Sequence, residues 1–232
     1  MRTGLRRFRS RWSSCRRTVA LRCYLIFPLM KKTIFTLVLL AGVAGTAQAQ
    51  SDVSLGLKAG ASLSNFTGAD AKDYKNLFGF HAGVFANIGI TSMVAFQPEL
   101  LYTQKGAKRP LVGISGPEGD LTLRAHYVDV PLVFHVNANG LFFEAGPQVG
   151  LLVGAQSKFG NTSTDVKDRY NTLDVGYVAG LGYQRKTGPG IGLRYNGGFT
   201  NVGKAITAGG TTFQDRARNS DFQLYVTYSF GG

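Results

Sequence analysis

From Gln50 to its C-terminus this 232-residue chain has neither cysteine nor tryptophan; Cys15, Cys23 and Trp12 all lie earlier. A body without cysteine has no disulfide framework, no thiolate metal site and no cysteine nucleophile. Its three histidines, His81, His126 and His135, are scattered. No Gly-x-Gly-x-x-Gly loop opens a helical pattern; the alternate glycines of Gly188–Gly192 have the wrong spacing for a nucleotide cradle. Charge is sparse at 17% of residues, and the net charge of +13 is not a property of the body. Residues 1–49 hold ten Lys/Arg and no acid, which leaves 16 basic and 13 acidic residues beyond them, a net of +3. The basic balance is therefore no nucleic-acid footprint, and no nucleic-acid partner, cofactor or metal is expected. Few charges and 12% aromatic residues exclude wholesale disorder. The 31 glycines follow no Gly-X-Y period, which excludes collagen.

The apolar run from Thr33 to Val43 is too short to cross a bilayer as a helix. It follows Met30-Lys31-Lys32 and precedes Ala47-Gln48-Ala49, small residues where a signal peptidase reads. Residues 30–49 are thus expected to be a signal peptide cut between Ala49 and Gln50. Residues 1–29, Arg-rich and placed before a complete signal, read as an upstream start or a basic extension. The folded domain is expected over residues 50–232.

That body is dominated by a period of two. Val53, Leu55, Leu57, Ala59, Ala61 and Leu63 alternate with small or polar residues, and the weave recurs from Phe78, from Leu141, from Leu173 and from Phe222. Eight segments read as strands, near 52–66, 77–90, 93–106, 121–137, 140–156, 172–186, 190–203 and 220–230. A tilted membrane-spanning strand needs roughly 9–11 residues, and these meet that length. Connections alternate between tight turns, such as Asn139-Gly140, and long polar loops. This predicts an all-β fold: an eight-stranded antiparallel up-and-down transmembrane β-barrel, with both termini on the short-turn, periplasmic rim. Lipid offers no partner to polar groups, so the apolar rows face out and glycines and polar residues face the lumen. Phe66, Phe78, Phe80, Tyr102, Tyr183, Tyr195, Phe199, Tyr228 and Phe230 are read as outward aromatics. The alternative is a soluble calycin-type barrel with the rows reversed, binding a small apolar ligand.

Several stretches, in order, carry a family resemblance. Gly56-Leu57-Lys58-Ala59-Gly60, Gly79-Phe80-His81, Phe96-Gln97-Pro98-Glu99-Leu100, Tyr127-Val128-Asp129-Val130-Pro131, Phe143-Glu144-Ala145-Gly146-Pro147 and Arg194-Tyr195-Asn196 follow one another. Together they resemble the PorT-family outer-membrane β-barrel proteins from about Ser51 to Phe230. The resemblance implies an outer-membrane location, a link to type IX secretion and gliding machinery, and an envelope or secretion-machinery protein as partner. The chain departs from the usual barrel C-terminus by placing Gly231-Gly232 after Phe230.

Five inward charges are candidate site residues. Glu99, Asp129 and Glu144 fall on the third, fourth and fifth segments, and Lys58 and Arg194 on the first and seventh. They are expected to form one lumenal ion-pair network, with acids on one wall and bases opposite: a filled plug, a gated conduit or a proton-handling pair. Pro98, Pro131 and Pro147, on those same three segments, are expected to mark β-bulges. Basic loop residues, Lys108 and Lys158 among them, would meet outer-membrane lipid and lipopolysaccharide phosphates. Catalysis of a lipid A-modifying kind would need a base near its nucleophile. His126-Tyr127-Val128 lacks a following serine, and Gly113-Ile114-Ser115-Gly116 is no nucleophile elbow. A non-enzymatic role is expected.

Overall fold

A computed structural model describes residues 53–111, 119–185, 187–208, 211–213 and 216–230. The expected signal peptide, with Ala47, Ala49 and Gln50, the extension over residues 1–29 and the Gly113–Gly116 segment lie outside the described residues. The strands are β1 (Val53–Thr67), β2 (Lys75–Gly89), β3 (Val94–Leu111), β4 (Gly119–Ala138), β5 (Leu141–Phe159), β6 (Thr162–Asp165), β7 (Leu173–Gln184), β8 (Gly188–Asn201), β9 (Ile206–Ala208), β10 (Thr211–Phe213) and β11 (Arg218–Ser229). The three short ones, β6, β9 and β10, belong to the long-loop end. The other eight are the expected strands.

Each long strand pairs antiparallel with its neighbour, in the order β4-β3-β2-β1-β11-β8-β7-β5, and β5 pairs back onto β4. The sheet is therefore a closed ring of eight. Closure runs through β1 and β11, from Gly56 opposite Ser229 to Thr67 opposite Arg218. A closed ring leaves no unpaired edge, the condition for a sheet to lie in lipid. At the short-turn rim Asn139 (φ 51°) and Gly140 (φ 92°) form the two-residue turn between β4 and β5. Both positions need the left-handed region, which is why Asn-Gly stands there.

The two faces separate as the alternation predicts. Leu55, Phe78, Leu100, Phe134, Phe143, Leu151, Leu181, Leu193, Leu224 and Val226 are all exposed, while Lys58, Glu99, Asp129, Glu144 and Arg194 are buried. This inversion of a soluble core rules out the calycin arrangement, which would bury the apolar rows.

Two details differ from the sequence reading. Phe66 is buried rather than outward, in an apolar cap with Ala71, Ala107, Val202 and Ala217 at the long-loop end of the bore. It shares the inward parity of Ser62 and Ser64, and the loops fold over it. Strands β3, β4 and β5 also run past the expected ends, to 18, 20 and 19 residues. The residues read as loop keep pairing, Lys108 with Thr122 and Thr122 with Lys158, so a small sheet continues beyond the length that lipid requires.

Candidate functional site

The bore is filled by two polar clusters stacked along its axis. The first is centred on Arg194 of β8. Its Nε and Nη2 donate to Glu144 Oε1 and Oε2 at 2.6 Å each, and its Nη1 and Nη2 donate to Glu99 Oε2 and Oε1 at 2.8 Å each. In the ring order β8 lies four strands from β3, so the Arg194–Glu99 pair joins opposite walls of the lumen. Lys58 Nζ donates to Glu99 Oε1 at 2.8 Å and lies 3.9 Å from the centre of the Tyr225 ring. The Tyr225 hydroxyl donates to Glu144 Oε1 at 2.9 Å. His135 Nε2 stands 3.1 Å from Glu144 Oε2, with its ring stacked on Phe142. Two bases balance two acids here, and every carboxylate oxygen is engaged, the condition under which buried charges hold together.

The second cluster lies nearer the long loops. Lys105 Nζ is 3.1 Å from Asp129 Oδ2 and 3.3 Å from Asp174 Oδ2. Asn219 Nδ2 donates to Asp174 Oδ2 at 2.9 Å, and Thr200 to Asp174 Oδ1 at 3.0 Å. Tyr127 lies under the Lys105 ammonium, 4.8 Å from ring centre to Nζ.

The structure thus joins Lys58, Glu99, Glu144 and Arg194 but sets Asp129 apart. The expected single network is two. The cause is register: His135 is the β4 residue opposite Glu144, and Asp129 is six residues further along β4. That is about 20 Å of strand, too far for a shared bond. The sequence reading missed Lys105, Asp174 and Asn219. Lys105 shares the parity of Glu99 on β3, and Asp174 that of Gly176 and Gly180 on β7, so both were open to a strict count of alternate residues.

The three prolines come together as expected, but without bulges. Pairing resumes in the same register on both sides of each one. Phe85 opposite Glu99 is followed by Ile88 opposite Phe96. The same step is missing at Pro131 toward β3 and at Pro147 toward β4. Each proline interrupts the ladder toward the preceding strand only, and keeps its partner on the following one: Leu132, Gln148 and Tyr177. One missing N–H opens one rung and needs no inserted residue. The register shifts lie elsewhere, between Asn76 and His81, between His126 and Tyr127, and between Arg218 and Ser220.

The histidines do not converge. His81 is buried in the lumen beside Tyr225, His135 belongs to the Arg194 cluster, and His126 faces outward against Tyr102. Glu99, His135 and Glu144 bring potential metal-ligand atoms within 4.8 Å of one another. All four of those carboxylate oxygens already accept Arg194 N–H bonds, so the geometry suits a guanidinium rather than a metal ion.

A family model described as outer membrane protein beta-barrel domain matches residues 47–203, more than half of the chain. The chain belongs to this outer-membrane β-barrel family. The barrel's location is accordingly the outer membrane. No curated protein matches it. Among solved structures, the barrel is similar to neisserial surface protein A, at 15% identity and a TM-score of 0.49, over 77% of this chain and 99% of that one. It is also similar to Ail, the attachment invasion locus protein of Yersinia pestis, at 14% identity and a TM-score of 0.41, over 78% and 99%. The N-terminal barrel of Pseudomonas aeruginosa OprF aligns at 14% identity and a TM-score of 0.35, over 78% and 100%.

Proposed function

We propose that this outer-membrane barrel is a PorT-like, non-enzymatic structural or accessory component of the cell envelope whose lumen is plugged by ion pairs. The observation that carries the reading is Arg194, which spans the bore to Glu99 on the opposite wall while holding Glu144. Eight strands enclose a lumen that side chains can fill, and here the filling is bonded across the middle. At the short-turn end a cavity of about 790 Å³ opens toward the rim and is floored by Gln97 and His135. Gln97 donates to Glu99, so the floor is tied to the plug.

A plugged barrel acts through its rims. The ordered PorT-like segments support docking of an envelope or secretion-machinery partner there. Export would follow from a signal cut between Ala49 and Gln50. Planar-bilayer recording tests the plug. Wild-type protein is expected to be silent, and Arg194→Ala or Glu99→Ala to give discrete conductance steps. A wild-type protein that conducts at rest would overturn the reading.

A further inference from the structure

We propose that the outward face of β2 to β5, just beyond the lipid-facing band, binds the phosphorylated headgroup of an outer-leaflet glycolipid of the lipid A class. The face is built in tiers. Val84, Leu100, Val128 and Leu151 form its lipid-facing part. An aromatic tier follows: the Phe80 and Tyr102 rings lie 5.8 Å apart, and Tyr102 stacks on His126 with its hydroxyl 2.6 Å from Nδ1. Aromatic rings of this kind sit at the interface of a barrel with its bilayer. Arg124 is the next outward residue of β4 after His126. Beyond it the ladder sets Lys75 opposite Lys108, Lys108 opposite Thr122, and Thr122 opposite Lys158. Bases therefore follow aromatics along the strands at the level where headgroups begin.

The basic tier encloses a groove of about 860 Å³, lined by Lys108, Arg124 and Lys158 with Asp120, Phe78 and Phe159. Among its described lining residues, three bases against one acid leave it positive. Among the described residues none of the three bases is in an ion pair. This contrasts with the lumen, where every lysine and arginine named above has a carboxylate. A guanidinium fork and ammonium groups in one groove are the donors that phosphate oxygens accept from. Lys108 and Lys158 are two strands apart, about 10 Å, which suits a headgroup with more than one phosphate. Phe78, exposed at the groove's edge, offers contact to the start of an acyl chain. The strand extension past the membrane's needs is what carries this tier out of the hydrocarbon. The proposal is independent of whether the lumen is closed.

The test is lipid titration by native mass spectrometry on the full chain, purified from outer membranes and stripped of lipid in detergent. Wild-type protein is expected to bind bisphosphorylated lipid A more tightly than its dephosphorylated form or phosphatidylglycerol. The combined Lys108→Gln, Arg124→Gln, Lys158→Gln variant should bind lipid A about 10-fold more weakly or worse, since three charge-assisted contacts are removed. A variant with the same charge loss elsewhere, Lys72→Gln, Lys167→Gln, Lys204→Gln, should bind as wild type. Electrophoretic heat-shift reports folding of each, and Arg124→Gln alone, still weaker than wild type, serves if the triple variant does not fold. Unchanged lipid A binding in the groove variant, an equal loss in the off-groove variant, or phosphatidylglycerol bound as tightly as lipid A would each overturn the proposal.

Discussion

Arg194 shows what one side chain can do that a similar one cannot. Its planar fork makes four bonds to two carboxylates on different strands. A lysine keeps the charge but presents it as a point on a flexible stem. Arg194→Ala strands two buried carboxylates, an expected loss of about 3–5 kcal/mol. Arg194→Lys should fall between the two. Urea unfolding in phospholipid vesicles measures the order, and a lysine variant as stable as wild type would show that charge alone suffices. Four of the five charged residues read from the sequence meet in this cluster because parity told their face. Their partners were less legible. Which acid meets which base depends on the stagger between strands, and Asp129 pairs with Lys105 through a register that alternation does not encode.

At the scale of the strand, large inward side chains are seated against glycine on the neighbouring strand. Phe85 stands opposite Gly56, Phe142 opposite Gly182, Tyr225 opposite Gly192 and His81 opposite Gly60. A Cβ at Gly192 would lie 2.3 Å from the Tyr225 ring, so the ring occupies the space a side chain would need. The glycines were legible as lumenal small residues; their role as seats needed the register. Gly192→Ala should displace Tyr225 from Glu144 and cost about 1–3 kcal/mol, the usual range for overpacking. Gly154→Ala, where the nearest atom is 3.7 Å away, should stay within about 0.5 kcal/mol. Thermal loss of the heat-shifted band compares the two, and equal shifts would refute the seating. The strands themselves were the most legible feature, because a period of two with one apolar row repeats eight times. Their outer ends were less so: beyond the lipid the outward row turns basic while Ala107, Leu123 and Ala155 face the bore, so the apolar row changes sides while the pairing continues.

For the molecule as a whole, the cysteine-free body allows its orientation to be read directly. With residues 1–49 removed, wild-type protein should not react with a membrane-impermeant maleimide. Asp73→Cys, in the long β1–β2 loop, should be labelled on intact cells. Asn139→Cys, in the β4–β5 turn, should be labelled only after the outer membrane is breached. The reverse pattern would invert the topology. The closing seam carries a consequence of another kind. Gly56 and Ser229 are partners, as are Leu63 and Phe222, so strands from the two ends of the sequence must meet before the ring is complete. Contacts so distant along the chain form slowly. Until β11 arrives, β1 and β8 each keep a row of unsatisfied amides. Folding is therefore ordered in time: the whole body must be delivered to the membrane before its last joint can be made, and the waiting chain needs shelter in the interval.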